Sequence, residues 1–147
     1  MPTTIKVFVD ASVLFAAVYS SHVSAYDLIQ AANRGSVKLF VNSIILDETQ
    51  RNLLRKAPRT IVIFQLLIDT TILELVPEPT KKALVDAAKY TALKDAAVIA
   101  SAIAAKVDYL VTYDRKHLID PPHVAQQSGL KIVTPDVIVA DLRRSDK

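Results

Sequence analysis

The chain has 147 residues, of which 51% are hydrophobic and 22% charged, as expected for one domain with a buried core. Its two glycines exclude the glycine-rich phosphate loops of P-loop and dinucleotide-binding proteins, and the absence of cysteine excludes disulfides, thiolate zinc sites and cysteine nucleophiles. The net charge of +3 is compatible with a polyanionic partner but does not by itself indicate one. We expect a soluble cytoplasmic protein, because we find neither a secretory signal nor an apolar run long enough to span a bilayer.

The first part of the chain alternates strands with helices. Residues 5–9 form a β-branched and aromatic run that stops at Asp10, which predicts a buried strand. Ser12 is a candidate N-cap of the helix that follows. The next predicted elements are a helix over residues 24–33, a strand over 38–41 and a helix that starts at Asn42 or Ser43 and ends near Lys56.

The rest of the chain continues the same alternation. The predicted elements are a helix over residues 60–68, a strand over 71–76, a helix over 81–88 capped by Thr80, an alanine-rich helix over 94–106, strands over 108–112 and 131–133, and a helix that starts at Pro135. Residues 143–147 are expected to form a frayed tail. The near-continuous apolar strands predict an α/β fold, a three-layer α/β/α sandwich around a parallel sheet of about five strands, in a single domain over residues 1–147.

Four of the fifteen acidic residues are placed where an open α/β sheet binds its ligands. Asp10 follows the first strand directly, and Asp114 lies two residues past the strand over 108–112. Asp95 lies in the first turn of the alanine-rich helix, and Glu48 lies about one turn into the helix after the second strand. Taken singly, Asp95 is explained by the helix dipole and Glu48 by a solvated helix face, so only the set as a whole suggests a site.

Carboxylates gathered in one cleft repel one another and raise one another's pKa. A divalent cation removes that penalty, and oxygen ligands without sulfur or clustered histidine suit Mg²⁺ or Mn²⁺. Because a bound metal lowers the pKa of water and neutralises charge on a phosphoryl group, the pattern predicts phosphate chemistry.

Three stretches resemble the PIN-domain family of nucleases, which includes the toxins of VapC-type toxin–antitoxin pairs. The first is VFVDASVL at residues 7–14, with its acid at Asp10. The second is IILDETQR at residues 44–51, with its acid at Glu48. The third runs from LKDAAVIASA at residues 93–102 through DYLVTYDRKHL at residues 108–118, and it carries the remaining two acids. The order of these motifs covers nearly the whole chain.

The resemblance implies a metal-dependent endoribonuclease. Asp10, Asp95 and Asp114 would ligate Mg²⁺ or Mn²⁺, and Glu48 would do so directly or through water. Ser12 and Thr112 would be supporting hydroxyls that orient a carboxylate, a water or a phosphate, although helix capping explains Ser12 equally well. The implied partners are an RNA substrate, an antitoxin protein and a second copy of the chain.

The chain departs from the family pattern at two positions. Many members have asparagine in place of Ser12 and threonine in place of Ala11. A further ambiguity concerns Asp47, which adjoins Glu48. Because neighbours on a helix point about 100° apart, both cannot face one metal equally, and we favour Glu48 over Asp47.

Basic residues near these motifs are candidates for substrate phosphates. Arg51 and Arg55 follow Glu48 at four-residue spacing, and a solvated charged face is the alternative explanation for them. Arg115 and Lys116 follow Asp114 directly. His117 is close in sequence as well, but we expect an ordinary loop histidine.

Two functions of different classes fit the sequence. The first is the metal-dependent endoribonuclease, in the form of a toxin whose antitoxin partner blocks the crevice. The alternative is a non-catalytic PIN-fold module that binds RNA or protein. The presence of all four acids favours the enzyme, because a binding module has little reason to keep a repulsive cluster of carboxylates.

Overall fold

The computed structural model describes residues 4–145, which form a five-stranded parallel sheet flanked by helices. The strands are β1 Ile5–Val9, β2 Val37–Val41, β3 Leu73–Leu75, β4 Tyr109–Val111 and β5 Ile132–Val133. The helices are α1 Ala11–Tyr19, α2 Ser24–Asn33, α3 Ser43–Lys56, α4 Ile61–Thr70, α5 Lys81–Ala88, α6 Leu93–Ala105, α7 Pro122–Ser128 and α8 Pro135–Ser145. A 3-10 turn, Pro58–Thr60, precedes α4, and a π-helical turn, Arg115–Ile119, follows β4. The predicted three-layer α/β/α sandwich is confirmed.

The strand order is β3-β2-β1-β4-β5, so β1 lies at the centre of the sheet. Val7, Phe8 and Val9 have no exposed surface, as expected for a central strand covered on both faces. After β1 the chain builds one half of the sheet through β2 and β3, and then returns to pair β4 with the other side of β1. The strand order therefore reverses at β1, and the crevice beyond the ends of β1 and β4 is where such sheets bind ligands.

The structure corrects three expectations about local structure. Asp10, with extended backbone angles, is the N-cap of α1, whereas Ser12 already lies inside the helix, so the prediction of a Ser12 cap is wrong. The helix α7 and the π-helical turn before it were not predicted. Residues 143–145 belong to α8 and are not a frayed tail, while residues 146–147 lie outside the described residues. Within residues 4–145, no helix is long and apolar enough to cross a membrane.

Candidate active site

The four predicted acids line one cleft of about 290 Å³. They reach it from four separate segments of the chain. Asp10 caps α1 directly after β1, Glu48 lies on α3, Asp95 lies in the first turn of α6, and Asp114 precedes the π-helical turn after β4. The parallel sheet brings these segments together because every strand delivers its carboxyl end to the same edge.

Asp10 is the most thoroughly hydrogen-bonded of the four acids, and only 8% of it is exposed. Its Oδ1 accepts from the Ala11 backbone N–H at 2.8 Å, and its Oδ2 accepts from Thr112 Oγ1 at 2.7 Å and from Ser12 Oγ at 3.1 Å. Burial raises the pKa of Asp10, the three donors lower it, and the charge of Asp114 raises it further. The effect of burial on the pKa is larger than that of the three donors, so the described residues do not fully stabilise the charged form of Asp10.

The two hydroxyls on Asp10 also hold the backbone after β4. Thr112 Oγ1 accepts from the Asp114 backbone N–H at 3.0 Å, and Ser12 Oγ accepts from the Tyr113 backbone N–H at 3.1 Å. Each hydroxyl thus donates its one hydrogen to Asp10 and accepts one from the neighbouring segment. Since Ser12 does not cap α1, this bridging geometry accounts for the residue better than capping does.

One buried oxygen of Asp95 lacks a hydrogen-bond partner among the described residues. The residue is 7% exposed, and its Oδ2 has no hydrogen-bond partner among residues 4–145. Burial raises the pKa of Asp95, and the charge of Asp114 raises it further. A buried carboxylate oxygen without a partner is costly and calls for a ligand that satisfies it.

The Asp114 carboxylate contacts both the backbone and the ring of His117. Its Oδ1 accepts from the His117 backbone N–H at 3.1 Å, and His117 Nδ1 lies 3.1 and 3.2 Å from the two carboxylate oxygens. One potential ligand atom from each of Asp95, Asp114 and His117 lies within 4.8 Å of the other two. His117 is therefore part of the site and not the ordinary loop histidine expected. The contact depends on the π-helical turn, which the sequence pattern did not reveal.

Glu48 and its neighbour Asp47 occupy different environments. Glu48 is partly buried in the cleft, whereas Asp47 is exposed and does not line it. Burial and the charge of Asp10 raise the pKa of Glu48, and Arg51 partly offsets them. Of these two adjacent acids, only Glu48 is brought together with the other three.

A buried polar contact sets the position of the helix that carries Glu48. Asn42 Oδ1 accepts from the Ile45 backbone N–H at 3.2 Å and caps α3. Asn42 Nδ2 donates to Ser101 Oγ on α6 at 2.8 Å. Because α6 also carries Asp95, this contact ties the helices of two of the acids to each other.

The positive charges at the cleft differ from those predicted. Lys56 and Lys94 line it, and sequence reasoning singled out neither as a substrate ligand. Lys94 immediately precedes Asp95, and that adjacency to a predicted acid was the available signal. Two long, flexible ammonium groups at the edge of an acidic cleft suit a phosphate that must approach the carboxylates.

The predicted basic residues lie around the cleft and do not line it. Arg51 and Arg55 are exposed on α3, and Arg55 Nη2 lies 3.4 Å from Asn52 Oδ1. Arg115 and Lys116 are exposed on the π-helical turn, and Lys116 lines a neighbouring cavity. Of these four basic residues, Arg51 lies close enough to Glu48 for its charge to lower the pKa of that acid.

The residues of the cleft fit a hard divalent cation. The donors are carboxylate oxygens, the kind of ligand that Mg²⁺ and Mn²⁺ prefer. The unpartnered oxygen of Asp95 and the raised pKa of three of the acids both indicate missing positive charge. A cation at this place would relieve both.

Comparison with known proteins gives a consistent picture. The sequence profile of the PIN domain family matches residues 6–116, well over half of the chain. The crystal structure of PAE2754 from Pyrobaculum aerophilum is similar with a TM-score of 0.67 at 17% identity, covering 95% of this chain and 96% of that one. The crystal structure of Mycobacterium tuberculosis VapC20, described as a toxin that cleaves the sarcin–ricin loop, is similar with a TM-score of 0.54 at 16% identity, covering 75% and 91%. At these identities the likeness establishes the fold, and no curated protein sequence matches the chain significantly.

Proposed function

Because the chain belongs to the PIN domain family, whose members are generally nucleases, we propose that it is a Mg²⁺- or Mn²⁺-dependent endoribonuclease. One observation carries the proposal: four carboxylates from distant segments line a single cleft, and a buried oxygen of one of them has no partner among the described residues. A purely structural role would leave that repulsion and that oxygen without compensation.

Asp10, Asp95 and Asp114 would hold the metal, with Glu48 binding it directly or through water. A bound Mg²⁺ or Mn²⁺ would lower the pKa of a water and neutralise charge on the phosphodiester. The protein contributes orientation and charge. Thr112 and Ser12 fix the Asp10 carboxylate through two hydrogen bonds to Oδ2.

Lys56 and Lys94 contribute the positive charge that draws a phosphate into an otherwise acidic cleft. Arg51, Arg55 and Arg115 lie farther out, where they would contact phosphates on either side of the cleavage point. RNA as the substrate is supported by the described activity of the VapC20 toxin, which has the same fold. We place the protein in the cytoplasm because its proposed substrate is found there.

A toxin role with an antitoxin partner, and a homodimer, form part of the same proposal. Exposed apolar side chains concentrate at the end of α3 and along α4, at Leu54, Val62, Ile63 and Leu66. Such side chains on a helix favour contact with another protein, either an antitoxin or a second copy of the chain. All of these assignments concern one catalytic domain spanning residues 1–147.

Cleavage of a mixed pool of structured and unstructured RNAs tests the proposal. Wild type should cut RNA in Mn²⁺ or Mg²⁺ and not in EDTA, and Asp95→Asn should be inactive. Cleavage that persists in Asp95→Asn would assign the activity to a contaminant or to another site. A folded, metal-loaded wild type that binds RNA without cutting it would support the alternative of a binding module.

A further inference from the structure

A second and larger cavity, of about 520 Å³, lies beside the acidic cleft. It is lined by the α5–α6 connection, the first turn of α6, the π-helical turn and α7 with the residue before it. Asp95 belongs to the walls of both cavities. His117, which contacts the Asp114 carboxylate, lines the second cavity as well. The two cavities are therefore neighbours that share a wall at the proposed metal site.

The chemistry of the second cavity is opposite to that of the first. Lys89, Lys116 and His123 line it, and Asp95 is the only acid among its lining residues. Tyr90 lines it too and packs partly against the core, which holds the ring in place. Positive charge together with a fixed aromatic ring is the combination that binds single-stranded nucleic acid, through phosphates and through stacked bases.

The charge of Lys89 is available to a ligand. Its ammonium lies 3.3 Å from Asp86 Oδ1, but both side chains are largely exposed, at 71% and 54%. Exposed pairs of this kind contribute little to stability, so Lys89 could turn to a phosphate with small loss. Lys116 is exposed on the turn that also positions His117.

We propose that this cavity is a substrate subsite that holds a nucleotide of single-stranded RNA next to the phosphate cleaved in the acidic cleft. Lys89 and Lys116 contact backbone phosphates, and Tyr90 stacks on a base. The proposal rests on the proposed nuclease function and adds where the strand continues beyond the cleaved bond.

The test compares two double variants with the same change of charge, both in an Asp10→Asn background that prevents cleavage. Lys89→Ala/Lys116→Ala removes the two cavity lysines. Lys81→Ala/Lys82→Ala removes two exposed lysines of α5 that line neither cavity. Binding of a fluorescent mixed-sequence RNA pool is measured by anisotropy over a series of salt concentrations, and thermal melting checks that each variant is folded.

The cavity variant should bind RNA about tenfold more weakly. The negative slope of log K against log salt should become shallower by about 1.4, since each single-strand phosphate contact contributes about −0.7. The α5 variant should keep both the RNA affinity and the salt dependence of its parent. Tyr90→Leu should weaken binding at least about fivefold through lost stacking, whereas Tyr90→Phe keeps the ring and the affinity.

Four results would overturn the subsite. If the cavity variant binds RNA normally while the protein with an intact cleft cleaves RNA, the strand runs elsewhere and only the subsite is wrong. If both double-lysine variants lose RNA affinity equally, the protein attracts RNA through its overall positive charge and the cavity is not a subsite. If the cavity variant binds RNA like its parent but no longer binds a polyglutamate peptide that the parent binds, the cavity is a site for an acidic protein partner. If the protein neither cuts nor binds RNA, the nuclease function and the subsite fall together.

Discussion

The Thr112 hydroxyl donates a 2.7 Å hydrogen bond to Oδ2 of Asp10, a residue 102 positions earlier in the chain. The Thr112 hydroxyl oxygen in turn accepts a hydrogen bond from the backbone N–H of Asp114 at 3.0 Å. One hydroxyl therefore connects the two acids at the ends of the neighbouring strands β1 and β4. The relative placement of both carboxylates depends on it.

Thr112→Val keeps the shape of the side chain and removes this connection. We expect a loss of about 1–3 kcal/mol in the free energy of unfolding, because a buried carboxylate and a backbone N–H each lose a partner. Affinity for Mn²⁺ should fall by about 10–100-fold, as when groups that orient a metal ligand are removed. Urea denaturation and Mn²⁺ titration measure the two effects, and Thr112→Ser, which keeps the hydroxyl, should restore most of both. Equal metal affinity in wild type and Thr112→Val would contradict the orienting role.

Metal binding should stabilise the folded protein. At about 100 times the dissociation constant, a cation that binds only the folded state adds about 2.7 kcal/mol and raises the melting temperature. Asp95→Asn should lose this response, because the unpartnered Oδ2 is replaced by an amide or a weaker neutral oxygen. In EDTA the variant should be at least as stable as wild type, since a buried charge has been removed. Thermal melts with and without Mn²⁺ decide the matter, and an unchanged Mn²⁺ shift in Asp95→Asn would count against its role as a ligand.

The fold could be predicted because its signals are local. Apolar strands such as residues 5–9 and 38–41 are bounded by polar residues. Thr80 caps α5 as predicted, and of the two candidates Asn42 and Ser43 it is Asn42 that caps α3. The parallel order of the strands then brought the predicted acids together at one edge of the sheet.

What escaped prediction depends on tertiary geometry. His117 reaches Asp114 because the chain forms a π-helical turn, for which the sequence has no simple periodic signal. The role of Ser12 between Asp10 and Tyr113 required knowing that β1 and β4 are adjacent. Lys94 lines the cleft because of the way the first turn of α6 is oriented in the fold. The sequence pattern predicts the helix but not its orientation.

Without metal, stability should depend on pH in a way that Asp95 helps to set. Burial and the charge of Asp114 raise its pKa in the folded state. Its contribution to stability is therefore fully present below the unfolded pKa of about 3.9 and is lost as the pH rises through the folded pKa. In EDTA, wild type should be less stable than Asp95→Asn near neutral pH, and the difference should shrink as the pH falls through the folded pKa toward the unfolded pKa. In saturating Mn²⁺, wild type should instead be more stable than Asp95→Asn near neutral pH, because the metal binds the deprotonated carboxylates. Urea melts across pH measure the difference, and a constant difference would contradict the raised pKa.

The contact between Asn42 and Ser101 should matter for both folding and catalysis. Asn42→Ala removes the cap of α3 and the buried bond to α6, and we expect a loss of about 1–3 kcal/mol in unfolding free energy. Ser101→Ala breaks the bond between the helices and the 2.6 Å bond from the Ser101 hydroxyl to the Ala97 carbonyl within α6, but it keeps the cap of α3 and should cost less. Both variants should lower RNA cleavage by shifting Glu48 relative to Asp95. Urea denaturation and a cleavage assay on the folded variants test this, and full activity in both would mean that the contact does not position the acids.

Adjacent acids on α3 provide the sharpest test of which carboxylate acts in the cleft. Glu48 lines the cleft and has a raised pKa, while Asp47 is exposed and does not line the cleft. Glu48→Gln should lower metal-dependent RNA cleavage by about 100-fold or more, in the range found when a preorganised electrostatic contact is removed from an active site. Asp47→Asn changes the net charge by the same amount one residue away and should leave cleavage nearly intact. Initial cleavage rates in Mn²⁺ for the two variants, compared at matched fractions of folded protein, give the answer. If Asp47→Asn is the inactive variant, α3 presents its other acid to the metal, and the position of the site along this helix must be moved by one residue.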